Sequence, residues 1–115
     1  MEKELDLIRA KCLNCEKCEL SKSRTNVVFS DGVPNHKIML IGEAPGYWED
    51  QKGIPFVGKA GQLLDKIFAS VGFTRNDIYI CNTIKCRPPE NRNPLPEEKE
   101  ACFNYLKAQI DILKP

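Results

Sequence analysis

Apolar and polar positions alternate in blocks along the chain, and the blocks predict five elements. Leu5, Ile8 and Cys12 recur at helical spacing among charges, which predicts a short amphipathic helix over residues 3–12. Ile38-Met39-Leu40-Ile41 is a continuous apolar run that meets Gly42. A run apolar on both faces is what a central parallel strand needs. Leu63, Leu64, Ile67, Phe68 and Val71 form the stripe of a second helix, closed by Gly72 at its C′ position. Ile78-Tyr79-Ile80-Cys81 reads as a second strand ending at Asn82. A last helix starts near Pro96, carries Glu97 and Glu98 in its first turn, and is expected to bury Phe103, Leu106, Ile110 and Leu113.

The connections are as informative as the elements. Residues 20–36 are polar, with turn signals at Asp31-Gly32 and Pro34-Asn35, and read as a connecting stretch or a weak hairpin through Val27-Val28-Phe29. Residues 43–58 form a long loop punctuated by Gly and Pro, and residues 85–94 form a second irregular segment. Strand, crossover helix, strand is the parallel βαβ unit. Both long loops then leave the carboxyl ends of adjacent strands, where open α/β sheets bind ligands. A loop this long in a small domain is usually functional or disordered. Two strands make a poor sheet, so the pattern reads as the first part of a doubly wound domain. Its unpaired apolar edge would invite self-association.

Composition narrows the class. At 115 residues the length suits one domain, and 42% apolar with 29% charged residues excludes a disordered tail or a fibrous repeat. No apolar run approaches the roughly 20 residues of a membrane span, and the Met-Glu-Lys-Glu start lacks a secretory signal's apolar stretch. A soluble cytoplasmic protein without a membrane partner is expected. With 17 Lys and Arg against 16 Asp and Glu, a nucleic acid would have to be met by a local basic patch. Six cysteines stand out. Without an export signal they point to a metal or redox centre rather than to disulfides. Cys12, Cys15 and Cys18 are spaced Cys-x-x-Cys-x-x-Cys, whereas Cys81 falls in a strand and reads as a small buried apolar residue.

Two loop residues carry candidate chemistry. The amide of Asn82 offers a donor beside an acceptor, which complements a base edge presenting an acceptor beside an N–H. Uracil presents O4 and N3–H in that order, and cytosine does not. Phe56, between Pro55 and Val57, offers a stacking face for an extruded base. The ordinary readings are that such an Asn caps a turn and such a Phe plugs the core.

The constellation is more specific. It comprises Gly42-Glu43-Ala44-Pro45-Gly46 with Glu49-Asp50, then Gly53-Ile54-Pro55-Phe56-Val57-Gly58-Lys59-Ala60-Gly61, then Tyr79-Ile80-Cys81-Asn82 with Lys85-Cys86-Arg87-Pro88-Pro89, Asn91-Arg92 and Pro94. Together with Arg24-Thr25-Asn26-Val27-Val28, it closely resembles the family 4, iron–sulfur uracil-DNA glycosylases, over nearly the whole chain. The resemblance implies a three-layer α/β/α fold with a parallel sheet, of which residues 1–115 would be the N-terminal part. Residues 1–36 would be the helix and cluster-binding segment, and residues 37–115 a βαβα core. It implies a [4Fe–4S] cluster on Cys15, Cys18, Cys86 and Cys102, with Cys12 as the alternative partner in the first pair. Four thiolates also suit tetrahedral zinc. Glu43 resembles the residue that crowds C5 of the base and rejects thymine, Phe56 the stacking ring, and Asn82 the reader of O4 and N3, with Gly42 in the loop that forms one wall of the uracil pocket. Glu49 and Asn91 resemble a carboxylate and amide pair beside the reacting sugar. Lys85, Arg87 and Arg92 are candidates for phosphate contacts.

The implied activity is excision of uracil from DNA in base excision repair. Relatives supply a donor to the departing base from a His-Pro-Ser motif, and this sequence has none. Its single histidine, His36, lies in the polar stretch before the first strand, where it reads as solvated. Catalytic competence of these residues alone is therefore the open point. Two other readings remain: a non-catalytic iron–sulfur or zinc nucleic-acid-binding module, and a zinc-stabilised interaction domain.

Overall fold

The computed structural model describes residues 2–35 and 37–115, so His36 lies outside the described residues. Helix α1 spans Glu2–Leu13 and is followed by a single turn, α2 (Leu20–Ser23). Strand β1 is the pair Asp31–Gly32, and β2 spans Met39–Gly42. The short α3 (Tyr47–Lys52) lies inside the long first loop, and α4 (Lys59–Ser70) follows it. A 3-10 turn at Arg75–Asp77 leads to β3 (Tyr79–Asn82). A second at Pro89–Asn91 precedes α5 (Pro96–Leu113).

The sheet order is β1-β3-β2, with β2 parallel to β3 and β1 antiparallel. Three observations refine the α/β reading of the sequence. The sheet is mixed, because Asp31-Gly32, read as a turn, pairs with Ile80 and Tyr79. Among the described residues β3 lies between the other two strands and its four residues are all buried, while β2 has a partner on one side, with Ile41 44% exposed. The first long loop is part helix.

α1 packs on α5 over one face of the sheet. Leu5, Leu106 and Leu113 meet Tyr79 and Cys81 there, so Cys81 is the buried core residue its strand position predicts. A second cluster gathers Cys12, Leu20, Val27, Phe29, Ile84, Cys86, Cys102 and Tyr105. The segment Val27–Phe29 is thus core rather than hairpin.

The α5 face is rotated from expectation. Glu98, Cys102, Tyr105, Leu106, Gln109 and Leu113 are buried, whereas Phe103 and Ile110 face solvent. On α4, Leu63 and Ile67 are exposed, as is Val71 just past its end, and Gly61 is its one buried residue. These helices carry apolar stripes wider than the described residues cover.

A buried polar chain crosses the core. Gln109 donates through Nε2 to Tyr79 Oη at 2.9 Å and to the Phe29 carbonyl at 3.3 Å. Its Oε1 accepts from Lys85 Nζ at 2.6 Å, and Lys85 Nζ also donates to the Asn82 carbonyl at 2.8 Å. Buried polar groups are tolerable only when paired in this way. The chain fixes the C-terminal end of β3 against α5.

Candidate functional site

Register places Gly42 opposite Asn82, so the two parallel strands finish side by side and their loops open from one point. Between those loops lies a cavity of about 350 Å³, lined by Gly42, Glu43, Glu49, Phe56, Asn82, Asn91 and Arg92 among others. The structure therefore brings together both long loops and the candidate base-binding residues.

Gly42 is the floor. A Cβ there would overlap Asn82 Oδ1 and come within 2.5 Å of Phe56 Cζ. The amide and the ring thus converge over a residue with no side chain. Asn82 is 3% exposed, and its backbone is held by Lys85 as described.

Phe56 sits at φ +56°, a left-handed conformation costly for a side-chain-bearing residue. Two devices hold it. Arg75 Nη1 donates to the Pro55 carbonyl at 2.9 Å and Nη2 to the Phe56 carbonyl. Gly61, in the first turn of α4, leaves room for that same carbonyl, which a Cβ would overlap. Arg75 is itself oriented by Asp65 at 2.8 Å and Asp31 at 2.9 Å.

Glu49 and Asn91 both line the cavity, each bound to its own loop. The Glu49 carboxylate accepts the N–H groups of Gly46, Val57 and Gly58 at 3.0, 2.9 and 2.8 Å. Partial burial pushes its pKa up, but the Gly58, Val57 and Gly46 donors outweigh that and hold it below the ordinary value. Asn91 follows Glu90 in two consecutive left-handed residues, at φ +57° and +56°. Its Oδ1 accepts from Arg87 Nε at 2.7 Å. Glu43 is exposed on the cavity wall, with Lys99 Nζ 3.9 Å from its carboxylate.

The three candidate phosphate contacts divide. Arg92 lines the cavity and is fork-paired to Glu98 through two 2.8 Å bonds, and Arg87 is joined to the cavity through the lining residue Asn91. Glu98 also accepts the Leu95 N–H at 2.8 Å, fastening the start of α5. Lys85 must be withdrawn as a phosphate contact. It is fully buried, and its ammonium is turned into the core toward Asn82, Gln109 and the face of Phe29. Burial lowers its pKa, with neighbouring Cys81 opposing.

Five cysteines line one tight pocket on the other side of the second loop: Cys12, Cys15, Cys18, Cys86 and Cys102, around a void of about 10 Å³. No group of three or more His, Cys, Asp or Glu among the described residues has the spacing of a formed metal site. The donor set nonetheless fits a thiolate-bound group. Arg24 Nη1 lies 3.2 Å from Cys86 Sγ, and the Lys85 N–H donates to Cys102 Sγ at 3.3 Å. Donors of this kind stabilise sulfur carrying negative charge. Burial pushes Cys12 up to about 12 and Cys102 up to about 11, with neighbouring thiols adding to the effect. Without a cation nearby, the Cys12 and Cys102 thiols keep their protons. All four predicted ligands are in the pocket, and Cys12, 1% exposed, is there too.

Sequence reading quoted Asp50 in a motif without giving it a role, and missed Arg75. Asp50 is 2% exposed, and its carboxylate accepts the N–H groups of Thr25, at 2.9 and 3.1 Å, and Asn26, at 3.1 Å. Asn26 Nδ2 returns a bond to the Asp50 carbonyl at 2.8 Å. The helix behind the cavity is thereby stitched to the segment that follows the first cysteines. Nothing local signals this, because the partners lie about 25 positions apart.

The chain is similar to known proteins along nearly all of its length. Residues 29–115 match the family model of the uracil DNA glycosylase superfamily. The chain is 49% identical to a type-4 uracil-DNA glycosylase of Archaeoglobus fulgidus, over 100% of this chain and 57% of that protein. It is 46% identical to the type-4 enzyme of Thermotoga maritima, over 99% of this chain and 59% of the relative. It is 53% identical to that of Pyrobaculum aerophilum, over 89% of this chain and 52% of the relative. The chain thus spans just over half the length of these relatives.

Proposed function

The chain belongs to the uracil-DNA glycosylase superfamily and, within it, to the type-4 proteins, and on that premise we propose that the protein excises uracil from DNA. The observation that carries this reading is the convergence of Asn82 and Phe56 over Gly42, at the shared ends of two parallel strands.

A base cannot be read on all edges while stacked, so the nucleotide is extruded into the cavity. Phe56 takes one face of the uracil. Asn82 pairs with O4 and N3–H, and a base with the reversed pattern would leave buried polar atoms unpaired. Glu43 lies on the wall that C5 would face and excludes thymine's methyl group. The bond from C1′ to N1 then breaks with its electron pair leaving on the base, while positive charge grows on the sugar. Glu49, held ionised by its three backbone donors, supplies opposite charge from the cavity side, and Asn91 stands beside it. Water adds to C1′, and its proton balances the departing uracil anion. Arg87 and Arg92 take the flanking phosphates.

The cysteine pocket supports a [4Fe–4S] group on Cys15, Cys18, Cys86 and Cys102, with zinc as the alternative. Such a group would bind the N-terminal segment, the second loop and α5 to one another, and hydrolysis needs no electron from it.

A duplex with one uracil, incubated with the protein and treated with alkali, is expected to break at that position, and Asn82→Ala is expected to remove the preference for uracil. Cleavage with unaltered selectivity in Asn82→Ala would overturn the pocket assignment. Broad visible absorbance with bound iron and sulfide identifies the cluster, and stoichiometric zinc would replace it.

A further inference from the structure

Helix α3 opens on Tyr47-Trp48, immediately after the Gly46 that lines the cavity. Both rings are exposed, Tyr47 by 46% and Trp48 by 57%, and they meet edge to face with centroids 5.0 Å apart. The indole edge lies 3.8 Å from where a Cβ on Gly58 would stand, so Trp48 rests on the backbone of the loop that carries Phe56. On the other side, the Arg87 guanidinium sits 5.4 Å from the Tyr47 ring centroid and is tied to Asn91. Asn91, Arg87, Tyr47 and Trp48 thus form an unbroken path from the cavity rim outward.

Core packing does not require this arrangement, since neither ring belongs to a core cluster. The helix's acidic pair is turned away from it: Asp50 is buried, and the carboxylates of both Glu49 and Asp50 accept backbone N–H groups. The exposed surface is therefore aromatic and cationic, which complements a base beside a phosphate.

We propose that Tyr47, Trp48 and Arg87 form a stacking platform for the base adjoining the extruded uridine. The proposal rests on the uracil-excision reading and adds a contact that this reading does not need. Extruding one nucleotide unstacks its neighbours, and an aromatic face beside the cavity replaces part of that lost stacking while Arg87 meets the intervening phosphate.

Trp48 is the only tryptophan in the sequence, which makes the test direct. An end-labelled single-stranded oligonucleotide with one 2′-fluoro-2′-deoxyuridine, which resists cleavage, is titrated with the protein. Label anisotropy reports binding and indole emission reports stacking. Emission is expected to fall by at least half at saturation. Trp48→Ala is expected to weaken binding about tenfold, with the preference for uracil over thymine unchanged, and Trp48→Phe to restore binding to within threefold. Binding without quenching, or Trp48→Ala within twofold of the parent, would overturn the platform and leave the excision reading standing. Absence of any uracil-dependent binding would overturn both.

Discussion

Replacing Arg75 by Met tests how the stacking ring is held. The substitution keeps most of the aliphatic stem and removes the guanidinium, whose side chain is 21% exposed. Lost with it are bonds to the Pro55 and Phe56 carbonyls and to Asp31 and Asp65. The carbonyl bonds come from a charged donor and are each worth about 1.5–3 kcal/mol. Asp31 and Asp65 are 35% and 50% exposed, so their ion pairs add only about 0–1 kcal/mol each. These contributions sum to about 3–8 kcal/mol, which for a domain of this size lowers the melting temperature by about 10 °C or more.

The functional consequence is separable from that loss. Phe56 is left-handed at a conformational cost of about 1–3 kcal/mol, and without Arg75 only the close fit at Gly61 still opposes its relaxation. Affinity for uracil-containing DNA, measured well below the variant's melting temperature, should fall about tenfold. Arg75→Lys, whose ammonium can serve one or two of the four acceptors, should recover about half of the stability. A melting temperature for Arg75→Met within about 3 °C of the parent, with unchanged uracil affinity, would refute the reasoning.

Three further outcomes are expected. Asp50→Ala strands the Thr25 and Asn26 N–H groups, at about 1–3 kcal/mol each, so urea denaturation should show a loss of about 2–5 kcal/mol, with Asp50→Asn intermediate. Gly42→Ala places a methyl against Asn82 and Phe56, and loss of uracil selectivity at a stability cost of about 1–3 kcal/mol is the expected pairing; retained selectivity would contradict the floor role. Because the Glu49 pKa is depressed by folding, its contribution is complete above the ordinary value of 4.5 and is lost as pH falls through the lower folded value. The stability gap between the parent and Glu49→Gln should therefore narrow below pH 4.5, and a gap independent of pH between 3 and 6 would contradict the three-donor geometry.

Local patterns announced the elements because each depends on neighbours within a few positions. The helix over α1, the start of α5 at Pro96 and the strand at β3 are of this kind. What the apolar stripes do not encode is the identity of whatever covers them. Met39–Ile41 reads as central and has a partner on one side among the described residues, and Leu63, Ile67 and Val71 read as core and are exposed. The site was legible where a motif fixes backbone and side chain together, as at Gly42, Phe56 and Asn82. Lys85 misled because a cation in a loop ordinarily points outward. Its direction is set by Gln109, 24 positions later, and by the Asn82 carbonyl. The roles of Asp50 and Arg75 were missed for the same reason, since their partners converge only in the folded chain.

The span of those contacts has a consequence in time. Arg24 and Cys86 meet across 62 positions, and the first cysteines lie further upstream still. At a synthesis rate of about 5–20 residues per second, roughly 3 to 12 s pass between the emergence of Arg24 and that of Cys86. During that interval the early thiols are on a nascent chain without the cysteines they later pack beside. Their exposure to oxidant is therefore greatest before the fold exists.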